Sequence, residues 1–300
     1  MMRILSAALL CSAAFSLSAA EKFSFVRPVR PGEHFECAAS TRQSARYSFA
    51  LPGRDDPVVK LDTLEAEFQG YLTVREVNAA GNPIRLRLSR CRFSGSVNGR
   101  TAVFSAPEAE IEADLSDAKP VFTTNGSQLS ADQQILLGAL FPPASSDSLS
   151  DLTGPARVLP KQGQGWKPEL KSFLEQLKSR GITLPPAAFQ SGITYQGKER
   201  IGRTDCQKFT LLIETVRLTD FDCRFRCTFW LAPSGPPLRM MRDATEVIRR
   251  VLRSDEPFAA GTRLELIRED HTAQSLTPVR EIPPLKAGKK QSGAWDFLLR

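Results

Sequence analysis

Apolar and polar residues alternate with a period of two along most of this chain, which predicts strands with one dry face and one wet face. The pattern is strongest from Cys223 to Leu231. There Cys223, Phe225, Cys227, Phe229 and Leu231 fall on one face, and Arg224, Arg226 and Thr228 on the other. The same alternation marks a strand from about Phe35 to Leu51. It recurs at Leu64, Ala66, Phe68, Leu72 and Val74, at Ile84, Leu86 and Leu88, and at Phe209, Leu211 and Ile213. Turn chemistry separates these runs. Pro52-Gly53 and Asn78 to Pro83 predict loops, and Asn98-Gly99 is the pair favoured in two-residue hairpins. The apolar parity shifts at Cys91 and Phe93, so a bulge or bend is expected near Arg90. Glu65 and Glu67 are expected to lie across from Arg85 and Arg87.

Only two segments carry a helical period. Ser130 with Gln133 three residues on reads as a capped start, and the helix should run to about Leu140, before Pro142-Pro143. The second helix spans Glu169 to Arg180, with Leu170, Phe173, Leu174 and Leu177 on one stripe and Gly181 as its stop. Ala144 to Gly165, rich in Ser, Gly, Pro and Asp, reads as a linker. The run through Ala244, Val247, Ile248 and Val251 fits helical spacing. Its β-branched residues and its place between strands favour a long twisted strand. The expected fold is mainly β (α+β): curved antiparallel sheets in two related halves, with two short helices near the middle. The expected segments are 1–20 (signal peptide), 21–125 (first β half), 126–185 (helix-containing linker region), 186–278 (second β half) and 279–300 (basic tail). Cys91-Arg92-Phe93 is echoed by Cys223-Arg224-Phe225, a short repeat consistent with related halves.

Composition adds a compartment. Arg3, an apolar run from Ile4 to Leu17, and the small residues Ser18-Ala19-Ala20 have the layout of a secretory signal peptide, cut near Ala20. A periplasmic or secreted protein is therefore expected. No run is long enough for a membrane-spanning helix. Hydrophobic content of 41% and charged content of 24% belong to a folded globular chain. The net charge of +7 is spread singly along strands, without the aromatic-interleaved basic motif of a nucleic-acid module, so no nucleic-acid partner is expected. In an oxidising compartment some of Cys37, Cys91, Cys206, Cys223 and Cys227 are expected to pair, with connectivity open. Cys223 with Cys227 is disfavoured, because four residues along a strand separate α-carbons by about 13 Å against a disulfide limit of about 7 Å.

The string Phe229-Trp230-Leu231-Ala232-Pro233-Ser234-Gly235-Pro236-Pro237-Leu238, the leader, and the hairpins flanking both helices together resemble exported bacterial proteins of the lipoprotein-carrier type. In those proteins an incomplete, curved antiparallel barrel wraps a helix or two. This chain is longer, richer in cysteine, and has Ala232 where an acidic residue is usual. The resemblance implies a concave apolar surface able to hold an acyl chain, and no catalytic residues.

Candidate chemistry is sparse. His271 lies beside Asp270 and Glu269, where a solvated surface patch is expected rather than a general base. Glu108, Glu110 and Glu112 share one strand face and should pair with arginines, since their spacing is too wide for one calcium ion. No zinc, phosphate-loop or serine-nucleophile signature occurs, and no cofactor or metal is expected. The sequence thus points to an exported, non-enzymatic envelope protein acting as a structural or interaction module, its partner an unidentified envelope protein. The alternative is a carrier of an apolar ligand, its cavity lined by Phe209, Leu211, Ile213, Phe225, Phe229 and Leu231. A third possibility, an enzyme using a free thiol, has no local signature behind it.

Overall fold

A computed structural model describes residues 22–23, 25, 28–79, 81–105, 108–143, 157–216, 218–252 and 261–284. The expected signal peptide, most of the expected linker and the tail beyond residue 284 lie outside these residues.

The chain forms one large antiparallel sheet that does not close on itself. Its first half comprises β2 (His34–Ala50), β3 (Val58–Val77), β4 (Pro83–Val97), β5 (Arg100–Ser105), β6 (Glu110–Asp114), β7 (Val121–Thr124) and β8 (Ser127–Gln128). Its second half comprises β10 (Gly165–Trp166), β11 (Phe189–Ile201), β12 (Thr204–Thr215), β13 (Phe221–Leu231), β14 (Pro237–Val251) and β15 (Arg263–Val279). The strand order is β10-β11-β12-β13-β14-β15-β2-β3-β4-β6-β7-β8, with β5 also on β4. A separate small pair joins β1 (Lys22–Phe23) to β9 (Arg157–Val158). The ambiguous run at 240–253 is strand through Val251, paired along its length with both β13 and β15.

The two halves meet where β15 pairs with β2 over seventeen residues, from Arg263 opposite Ala50 to Val279 opposite His34. From this seam the chain visits the first half outwards and the second half inwards. Cys91 and Cys223 therefore both lie on the third strand from the seam, but the strands are reached in opposite order.

The two halves have separate cores. In the first, Phe35, Cys37, Phe68, Leu88, Phe93, Ile111 and Phe122 pack under helix α1 (Ala131–Leu140), which adds Leu136 and Leu137. Ser130 caps α1 as expected: its Oγ accepts from the Gln133 N–H at 3.4 Å, and the Gln133 side chain accepts from the Ser130 N–H at 3.1 Å. Ser130→Ala should cost about 1 kcal/mol, read as a lower urea midpoint. In the second core, helix α2 (Lys171–Ser179) lays Leu170, Phe173, Leu174 and Leu177 on the sheet. Gly181, at φ 81°, ends it: its N–H donates to the Lys178 carbonyl and the Ile182 N–H to the Leu177 carbonyl, a Schellman closure. The two helices of the expected middle segment are thus divided between the halves.

Local turn chemistry matches the sequence. Asn98 and Gly99 both have positive φ, 51° and 79°, as a type I′ hairpin requires. Arg90 is also at φ 51°, where the β3–β4 register slips between Gln69 and Tyr71, so the parity shift is a bulge. The expected pairing of Glu65 and Glu67 with Arg85 and Arg87 does not occur. The 78–82 turn sets Glu76 opposite Arg85 and Thr73 opposite Arg87, while Glu65 lies opposite Ser96.

Candidate functional site

The residues expected to line an apolar cavity come together on the inner face of β12 and β13, where they form a filled core. Phe209, Leu211, Ile213 and Phe229 are fully buried, Leu231 nearly so, and Phe225 is partly exposed against the same cluster. Phe209 stacks on Phe229 at 5.6 Å between ring centroids, and Phe25 meets Phe209 edge-on at 5.0 Å. Tyr195 and Trp166 complete the ring cluster at 5.2 and 6.2 Å from Phe209. Alternation identified these side chains as sharing a face. It could not show that Phe25, from before β2, would be laid across them.

All five cysteines of the described chain are free and buried, which corrects the expectation that some would pair. The geometry explains why. Cys37 on β2 and Cys91 on β4 are separated by Gly70 of β3, which lies opposite Cys37 and whose α-carbon hydrogen side abuts Cys91. Two strand spacings amount to about 9.6 Å, beyond disulfide reach. Cys223 and Cys227 share β13, and Cys206 sits on the other face in a small cluster with Trp230, Ala232 and Leu238. Burial pushes the thiols of Cys37, Cys223 and Cys227 up to about 12 and that of Cys91 up to about 11. Burial also raises Cys206. A nucleophilic cysteine needs the opposite, an electropositive and accessible setting.

The charged candidates resolve into surface pairs. Arg87 reaches Glu112 at 2.7 Å and Glu110 at 3.1 Å, as expected, and Arg85 reaches Asp114 at 3.4 Å, while Glu108 lies before the strand and outside these pairs. Glu65 is taken by Arg42 at 2.8 Å. His271 Nδ1 lies 2.9 Å from Asp243 on the neighbouring strand, both more than half exposed, and is a solvated pair. His34 bonds Thr73 at 2.9 Å. Among the described residues no cluster of three or more His, Cys, Asp or Glu side chains could hold a metal ion.

Between the two cores the inner face is polar. Arg242 bonds Asp270 at 2.7 Å, Thr272 donates to Asp270 at 2.9 Å, and Thr41 meets Thr272 at 3.2 Å. This bridge ties β14, β15 and β2 together at the seam through one guanidinium nitrogen of Arg242, while its buried Nε makes no hydrogen bond among the described residues.

What remains for recognition is the outer face. Among the described residues, two grooves stand out there. The smaller, about 380 Å³, lies where Glu67, Arg92 and Ser94 meet Val103 and Phe104 of β5. The larger, about 450 Å³, runs over β11, β12 and β13 and is lined mostly by hydroxyls, amides and two arginines. Neither includes any of the six residues expected to hold an apolar ligand. The sequence signal for the larger groove was present in the even positions of β13, Arg224 and Arg226. Nothing in the sequence placed them beside Gly192 of β11. No known family matches the chain, and no curated protein matches it.

Proposed function

We propose that this is an exported, non-enzymatic interaction module of the cell envelope, which recognises its partner through its outer surface. The observation that carries the reading is the packing of Phe209, Leu211, Ile213 and Phe229 against one another and against Phe25. An acyl carrier needs an open apolar chamber of several hundred Å³. Here the side chains that would line it occupy the space themselves. The deeply buried, proton-retaining thiols supply no nucleophile, and the charges of the inner face are spent on one another. Two further supports are the leader-like first twenty residues and the absence, among the described residues, of any helix long and apolar enough to cross a membrane.

Native mass spectrometry of the protein purified from its own envelope tests this directly. The expected spectrum shows the bare polypeptide lacking residues 1–20, with no stabilisation by added fatty acids. A copurifying acyl lipid, released on unfolding, would instead establish the carrier. Recovery of the full-length chain from the cytosol would remove the envelope assignment.

A further inference from the structure

On the outer face of the second half, three neighbouring strands place nine side-chain positions on a lattice. Register sets Gln190, Glu214 and Arg224 in one row, Gly192, Leu212 and Arg226 in the next, and Thr194, Thr210 and Thr228 in the third. Rows are about 7 Å apart along the strands and columns about 4.8 Å apart. Eight of these nine, all but Thr228, line the 450 Å³ groove, together with Ser191 and Gln196.

Two features distinguish this patch from an ordinary solvated face. The first is Gly192. Its backbone conformation is one any residue adopts, and a methyl group added there would meet nothing within 4 Å. Neither a turn nor close packing requires glycine in the middle of this strand, where it costs stability. Its effect is to remove the side chain that would fill the groove. The second is Arg226. Its register neighbour on β14, Asp243, is bonded to His271, and its neighbour on β12 is Leu212. Its guanidinium meets no carboxylate among the described residues. Arg224 beside it is only loosely held by Glu214, at 3.8 Å. By contrast Arg87, Arg242 and Arg249, elsewhere on this sheet, are each paired at 2.7 to 2.8 Å.

From this we infer that the groove centred on Gly192 is a binding site for an acidic sugar unit of a glycan chain, with Arg226 receiving its carboxylate. A guanidinium presents parallel N–H donors that match a carboxylate. Thr194, Thr210, Ser191, Gln190 and Gln196 supply the paired donors and acceptors that sugar hydroxyls need. The volume falls within the roughly 300–1,000 Å³ of ligand clefts. The lining is too polar for an acyl chain. The inference gives the proposed interaction module a ligand class. It rests on the groove alone, so failure to find export would leave it standing.

Isothermal titration of the full chain with an oligogalacturonide, with a neutral dextran oligomer of equal length and inorganic phosphate as separate arms, tests it. The oligogalacturonide should bind, and at least about ten-fold tighter than either control. Arg226→Gln should weaken it about ten-fold or more, the loss of one charged hydrogen-bonding partner. Gly192→Val should abolish binding while leaving the near-ultraviolet circular dichroism and urea midpoint intact or improved, since valine suits a strand and has room. Three results would overturn the inference: no binding of the oligogalacturonide, equal binding by phosphate, or full affinity in a folded Gly192→Val variant.

Discussion

Raising the pH from about 9 to about 11 should strongly destabilise this protein in the absence of any denaturant. A free thiol loses its proton near pH 9, whereas burial holds four of these thiols to about 11 or 12. Between those limits the unfolded chain has released protons that the folded chain still holds. The sign of the linkage follows: stability is complete below the ordinary thiol value and falls as pH rises through the folded one. Each thiol contributes a slope of about 1.4 kcal/mol per pH unit. Four acting together give about 5 to 6 kcal/mol per pH unit at most, against a total stability of about 5–15 kcal/mol for a domain. Burial raises Tyr71 and Tyr195 as well, which adds loss of the same sign at the alkaline end. Thermal midpoints measured across this range should fall steeply, and Cys227→Ala should flatten the slope by about a quarter. A stability curve level from about pH 8.5 to 10.5 would show that the thiols are not both buried and free.

The second large effect is at Phe209. Phe209→Ala should cost the second half about 3–5 kcal/mol, the range for removing a fully buried ring from a packed core. Four aromatic neighbours within 6.2 Å would lose their common partner. Trp166 is one of them, so its emission during urea unfolding, isolated in a Trp230→Phe, Trp295→Phe background, reports on this core. The midpoint should drop while the slope stays unchanged, and Phe209→Leu should cost much less because it keeps most of the volume. A truncation costing under about 1 kcal/mol would mean the ring fills no core. The inner face of β12 and β13 would then again be a chamber for an apolar guest.

Period-two alternation was enough to place nearly every long strand, because a strand buried on one face must write that burial into every second residue. Hence β13, β12 and the buried half of β3 could be read directly, and so could the bulge at Arg90. Caps and turns were equally local: Ser130 with Gln133, Asn98-Gly99 and Gly181 act within a few residues of themselves. Cross-strand chemistry was not legible. Glu65 went to Arg42 instead of the next hairpin strand because register depends on the turn, which the alternation does not count. The cysteines misled for a related reason. Their expected compartment argued for pairing, but only the order β2-β3-β4 shows Gly70 standing between Cys37 and Cys91. The outer groove was the least visible of all. It depends on an absent side chain at Gly192 meeting arginines thirty-odd residues away, and a gap leaves no periodic mark.

The joining of β2 to β15 has a bearing on how the molecule is made. The first strand of the large sheet, β2, finds its second neighbour only when the last strand, β15, is available. Until then β2 presents seventeen residues of unsatisfied backbone, and the first core rests on a bare margin. Pairings this distant in sequence are slow to form. A chain emerging start-first should therefore pass through a long-lived, adhesive half-built state, and an escort that covers that margin would speed its maturation more than any change to either core.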